Sequence, residues 1–129
     1  NAFNSLNSIG EYLLIGQNDI PSFLNLQTVG GGLTISGSNN LTTLDCLINL
    51  VSVGGDLSIG GNPNLTSLEG LINLTFVGGD LVIRINQSLI DLCGIKNLLI
   101  INGVVGNIFI DNNAFNPTVE DIIAGNCSQ

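Results

Sequence analysis

The sequence predicts a mostly-β chain, a parallel β-solenoid of about five coils of roughly 24 residues with a short C-terminal capping helix. Three observations predict it. Leucines recur at a fixed 24-residue interval, at Leu26, Leu50, Leu74 and Leu98 and again at Leu33, Leu57 and Leu81. Paired glycines recur with them, at Gly54-Gly55 and Gly78-Gly79. And 44% of the residues are hydrophobic against 9% charged, a balance that favours a packed chain over a disordered one. At 129 residues the chain is one domain, spanning 1–129.

Leu13 precedes Leu33 by only 20 residues, so the first coil is shorter than the rest. The segments 47–70 and 71–94 align without a gap and share the pattern L-x-N-L-x-x-V-G-G-D-L-x-I-x-x-N-x-x-L-x-x-L-x-G. Within it, Leu57-Ser58-Ile59 alternates in, out, in, the period of a strand. Val53 to Asp56 makes a corner whose glycines let successive backbones approach closely. Gly60 to Asn64 is a second corner, and Leu65 to Leu68 a third short extended segment. The series continues to Ile108 after a three-residue insertion around Asn102 and Gly103. The run Leu98 to Ile101 reads as strand-like, and no segment of the repeats has the period of a helix. Coils of this kind pair side by side into parallel sheets, rising about 4.8 Å each, and bury each other's apolar faces.

Asparagine recurs at two positions: Asn18, Asn62, Asn86 and Asn113, with Ser38 standing in once, and Asn25, Asn49, Asn73 and Asn97. Both sets read as inward ladders, in which a buried amide satisfies backbone groups of its own coil and the next. Residues 116–125 read as the capping helix, with Pro117 near its start, acids in its first turn and Gly125 closing it. The N-terminal end shows no comparable cap. Either the segment continues upstream or that end meets a partner. Asn1 opens directly into patterned sequence, so no signal peptide is expected within this segment.

Charge excludes several functions. The net charge is −8 and the only basic residues are Arg84 and Lys96, so a nucleic-acid footprint is not expected. No apolar run approaches the roughly 18 residues of a membrane span, so no direct membrane insertion is expected either. The chain has no histidine, the commonest acid–base and metal-binding side chain. No catalytic residue, cofactor or metal is expected, and the chain does not read as an enzyme.

The run L-x-I-x-x-N-x-x-L-x-x-L resembles a leucine-rich repeat with one residue inserted after the Asn. The fuller unit N-L-x-x-V-G-G-D-L-x-I, as at 73–83, more closely resembles the receptor L-domain repeats of secreted and surface proteins. The resemblance extends from about Leu6 to Asn113. It implies a right-handed solenoid, an extracellular location on a secreted or cell-surface protein, and a recognition or adhesion role. The larger L domains carry additional disulfides, from which this chain departs.

Of three cysteines, Cys46 and Cys93 lie two coils apart, too far for a bridge. Cys127 follows the cap helix and can reach Cys93; whether the two pair stays open, and Cys46 is then left over, either as a buried small hydrophobe, the favoured reading, or as an exposed intermolecular thiol. Five glycosylation sequons occur. Asn73 and Asn86 belong to the inward ladders, so the accessible candidates are Asn40, Asn64 and Asn126.

The outward positions of the middle strand, Leu14, Thr34, Ser58, Val82 and Phe109, form the candidate ligand face. Tyr12, Asp56 and Asp80 flank it on one side, Arg84 and Asp111 on the other. Asp56 and Asp80 stack on adjacent coils; a Ca²⁺ is one use of such a pair, and hydrogen bonding to the preceding glycine corner is the favoured one. The function expected is recognition of a protein or glycan partner. A structural subunit that binds itself, as a homo-oligomer or fibre joined by end-to-end or lateral contacts, is the alternative.

Overall fold

A computed structural model describes residues 5–16 and 23–129. Most of its regular structure is strand, in two parallel sheets. The strands are β1 (Ser8–Ile9), β2 (Leu13–Gly16), β3 (Thr28–Val29), β4 (Leu33–Ser36), β5 (Ser52–Val53), β6 (Leu57–Gly60), β7 (Phe76–Val77), β8 (Leu81–Arg84) and β9 (Ile108–Asp111). The two-residue strands make one sheet in the order β1-β3-β5-β7. The four-residue strands make the other, in the order β2-β4-β6-β8-β9. Neither sheet closes on itself.

The leucine interval reappears as strand register. Leu33 pairs with Leu57 and Leu57 with Leu81, position for position, and Leu81 then pairs with Ile108 across the insertion. Because side chains alternate along a strand, a register locked this way sends Leu57, Ile59, Leu81 and Ile83 all inward, where each is fully buried. Leu68, Leu71, Leu74 and Val77 fill the same core from the rest of the repeat.

The paired glycines are there for the backbones behind them. A Cβ on Gly54 or Gly78 would land on the carbonyl of the glycine one repeat earlier. One on Gly79 would land on the Asp56 carboxylate. The close stacking of successive corners therefore leaves no room for a side chain.

Three helical features depart from the sequence reading. One-turn 3-10 helices occupy Asp45–Leu47, Glu69–Leu71 and Cys93–Ile95, after the third extended segment, which pairs through isolated Ser67–Asp91 and Asp91–Ser128 bridges. The run from Leu98 is not a strand. It lies largely in helix α1 (Lys96–Ile100), because Ile95, Leu98 and Leu99 fall at i, i+3, i+4 and are the residues turned to the core. The insertion is that helix's end. Asn102, in the left-handed region at φ 56°, and Gly103 send their N–H groups back to Leu99 and Leu98, at 3.1 and 2.9 Å, a Schellman closure.

The C-terminal helix α2 (Val119–Ile123) is also shorter than 116–125. Thr118, not Pro117, is its N-cap: the Thr118 hydroxyl accepts from Asp121 N, and the Asp121 carboxylate accepts from Thr118 N. Gly125, at φ 93°, closes it as expected, with Asn126 N donating to Asp121 O. Ile122 is fully buried and α2 packs on α1. Beyond it, Leu92 N donates to Cys127 O and Gln129 N to Ile90 O, so the C-terminal residues pair with the preceding repeat. A Cys93–Cys127 disulfide fastens them there.

The two asparagine sets separate. Asn62, Asn86 and Asn113 are buried, and Asn18 lies outside the described residues. Asn86 Oδ1 accepts from the backbone N–H and the Nδ2 of Asn62, while Asn86 Nδ2 donates to Ile59 O and Asn113 Oδ1. Ser38, also buried, joins through its backbone N–H, which donates to Asn62 Oδ1. Asn25, Asn49, Asn73 and Asn97 are instead exposed. Asn49 donates to Leu24 O, Asn73 to Ile48 O and Asn97 to Ile72 O, so this ladder bridges neighbouring repeats along the surface rather than inside it. Asn49, Asn73 and Asn97 sit just after a 3-10 turn, which faces the amide outward and which the periodicity alone does not reveal.

Candidate functional site

The five-stranded sheet turns one side chain per repeat away from the core, because the positions between the inward pairs alternate. On it lie Leu14, Thr34, Ser58, Val82 and Phe109, in adjacent register. Leu14 is 63% exposed and Phe109 37%, whereas Thr34, Ser58 and Val82 are half-buried between neighbours.

The face is ordered at both ends by its own contacts. At one end the Tyr12 hydroxyl hydrogen-bonds the Thr34 hydroxyl at 2.5 Å. At the other, Arg84 Nε donates to Asp111 Oδ2 at 2.9 Å, and its guanidinium carbon lies 4.9 Å from the Phe109 ring centroid. Arg84 and Asp111 are paired residues of β8 and β9, so strand register alone brings the charges together. The ion pair, nearly half exposed, contributes little to stability by itself. Its effect is to hold a cation over an aromatic ring beside the Val82 side chain.

Asp56 and Asp80 do other work than the corner bond expected of them. Asp56 Oδ1 accepts from Asp80 N, and Asp80 Oδ1 accepts from Asn107 N, both at 2.8 Å. Each carboxylate therefore reaches forward to the next repeat instead of back to its own corner. One group that the sequence reading missed is Glu69, Asp91 and Cys93, whose ligand atoms lie within 4.8 Å of one another. Two of its members are engaged: Asp91 accepts from the Ser67 hydroxyl and from Cys93 N, and the Cys93 sulfur is in the disulfide.

Cys46 is half-buried rather than buried. Burial pushes its thiol above the ordinary value, opposed by a backbone hydrogen bond and reinforced by the neighbouring Asp45 carboxylate. Of the sequon residues, Asn40, Asn64 and Asn126 are exposed. Asn73 joins them, contrary to expectation, since its ladder lies on the surface, while Asn86 is enclosed.

Among the described residues no helix is long and apolar enough to cross a membrane. No family model, no curated protein and no solved structure matches the chain.

Proposed function

We propose that the chain is a right-handed parallel β-solenoid of the receptor L-domain type, and that it is a non-enzymatic, extracellular recognition or adhesion module. It binds a protein or glycan partner through the outward face of the five-stranded sheet. The observation that carries this reading is the Arg84–Phe109–Asp111 arrangement beside Val82. Arginine and aromatic residues dominate binding energy where they are held in advance. An Arg already fixed on a ring and a carboxylate loses less side-chain freedom when a partner arrives. The Cys93–Cys127 disulfide suits an oxidising compartment, and the 24-residue strand register suits a stack of coils.

The test is binding of the intact protein to arrays of glycans and of cell-surface ectodomains. The wild type should capture a ligand that a Phe109→Ala/Arg84→Ala variant loses by tenfold or more, while Ile123→Ala, away from the face, keeps it. Binding that survives the double variant, or no binding to either array, overturns the reading.

A further inference from the structure

We infer that the edge of β9 is a second binding site, one that takes an extended segment of a partner protein as a further parallel strand. The site is an edge, not the outward face, and it does not depend on what that face binds.

Every earlier strand of the long sheet is followed by another. Leu13 N donates to Gly32 O, Leu33 N to Asp56 O, Leu57 N to Asp80 O and Leu81 N to Asn107 O, each reaching one repeat on. Ile85 N does the same with Asp111 O. By that pattern the N–H groups of Ile108, Ile110 and Asn112 point off the edge of β9, and β9 is the last strand of its sheet among the described residues. A row of donors and acceptors spaced for a parallel strand is thus left at the edge.

The side chains tell the same story. The inward pairs Leu57/Ile59 and Leu81/Ile83 are fully buried, because each is covered by the next repeat. Ile108 and Ile110 occupy the same register and stay partly exposed. Val119, at the start of α2, meets them without burying them fully. They form one wall of a cleft of about 190 Å³, and the other wall is Asn116, Pro117, Thr118 and Val119. The cleft therefore runs beside an open strand edge and is floored by two aliphatic residues two positions apart. A strand with the pattern aliphatic–x–aliphatic, the pattern of every earlier strand of this sheet, would bury its two inward residues on Ile108 and Ile110 and between Pro117 and Val119.

Charge narrows the partner. The chain carries −8, the residues lining the cleft include no basic side chain, and Glu120 and Asp121 directly follow Val119 in sequence. An acidic segment is repelled there, so the occupant is an extended, neutral-to-basic peptide segment with alternating aliphatic residues.

The probe is the blocked peptide Leu-Val-Ile-Arg-Ile-Asn-Gln, residues 81–87 of the chain's own repeat, which carries one positive charge. Titrated into the ¹⁵N-labelled full chain up to about 1 mM, it should give saturable amide shifts confined to 108–112 and 116–119. The same peptide with Leu81→Ser and Ile83→Ser should give none. On the protein side, Ile110→Lys and, separately, Val119→Lys should weaken binding at least tenfold, while Leu14→Ala, on the outward face at the far end of the sheet, leaves it within twofold. Val119→Lys changes a half-buried residue of the cleft wall outside the sheet, so the test stands if Ile110→Lys does not fold. Absence of saturable shifts, equal binding of the serine peptide, or loss of the shifts in Leu14→Ala would each overturn the inference. The last of these would also move the peptide to the outward face and leave the proposed function intact.

Discussion

Single residues set the tolerances of this molecule, and Ile85 is the clearest case. The position after the four-residue strand takes the left-handed conformation in four successive repeats, at Gly37, Gly61, Ile85 and Asn112. Glycine and asparagine enter that region readily; a β-branched residue does not. Ile85 is also 54% exposed, so little burial offsets the strain. Ile85→Gly should stabilise the protein by about 0.5–1 kcal/mol, after allowing for the greater freedom of glycine in the unfolded chain. Urea unfolding would measure it; a loss of stability would mean that the Ile85 side chain makes contacts worth more than its strain.

The asparagines make a paired prediction. Asn86→Ala orphans the buried N–H of Asn62 and the carbonyl of Ile59, and should cost at least about 3 kcal/mol. Asn97→Ala removes one exposed bond to Ile72 O and should cost under about 1 kcal/mol. Equal costs in thermal unfolding would refute burial as the source of the difference. Cys46 supplies the pH-dependent case. Its raised folded value favours the thiol, so its contribution is present below the ordinary thiol pKa of 9.0 and is lost as the pH rises through the folded value. Iodoacetamide should alkylate it near pH 9 more slowly than it does the unfolded chain; equal rates would remove burial as the cause.

At the level of elements, the strands were legible because their spacing is carried by Leu33, Leu57 and Leu81, whose register the sheet reproduces. Helix α1 was hidden. Leu98 to Ile101 is a run of consecutive aliphatics that suits a strand until Ile95 is included and the i, i+3, i+4 face becomes visible. The corner glycines were legible as corners, but Gly94 has a reason that lies outside its own repeat. A Cβ there would fall on the Leu68 carbonyl. Gly94→Ala should therefore cost more than about 3 kcal/mol, since backbone cannot step aside as a side chain can. Cys46→Ala, at the aligned position two repeats earlier where a side chain already sits, should cost about 1 kcal/mol. Similar values for the two in urea unfolding would mean that the Leu68 backbone yields. The outward face was legible as a list of positions; the grip of Arg84 on Phe109 and Asp111 was not, because it depends on β9 pairing with β8 across an insertion of three residues.

For the whole molecule, the disulfide is the covalent tie at the C-terminal end. It closes a separation of 34 residues, and the loop-entropy estimate for that length is about 3–4 kcal/mol. Reductant should lower the midpoint of thermal unfolding in the wild type and leave a Cys93→Ser/Cys127→Ser variant unchanged. An unchanged wild type would show that α2 and the Asp91–Ser128 bridge hold the segment without it. Cys127 could be matched to Cys93 from sequence only as a candidate, since nothing in the repeat pattern reaches beyond Asn113.

Asn116 has a meaning of its own. Its Oδ1 accepts from the backbone N–H of Asn113 at 2.9 Å and from Asn113 Nδ2 at 3.0 Å. These are the same two bonds that Asn86 and Asn113 each receive from the asparagine before them, here accepted by a residue three positions away instead of one in the next repeat. The pair Asn113-x-x-Asn116 thus works as punctuation: it ends the amide chain locally, without requiring another repeat. Grafted after Asn86 or Asn62, the same four-residue full stop offers a way to write shorter versions of the protein whose last amide is still answered.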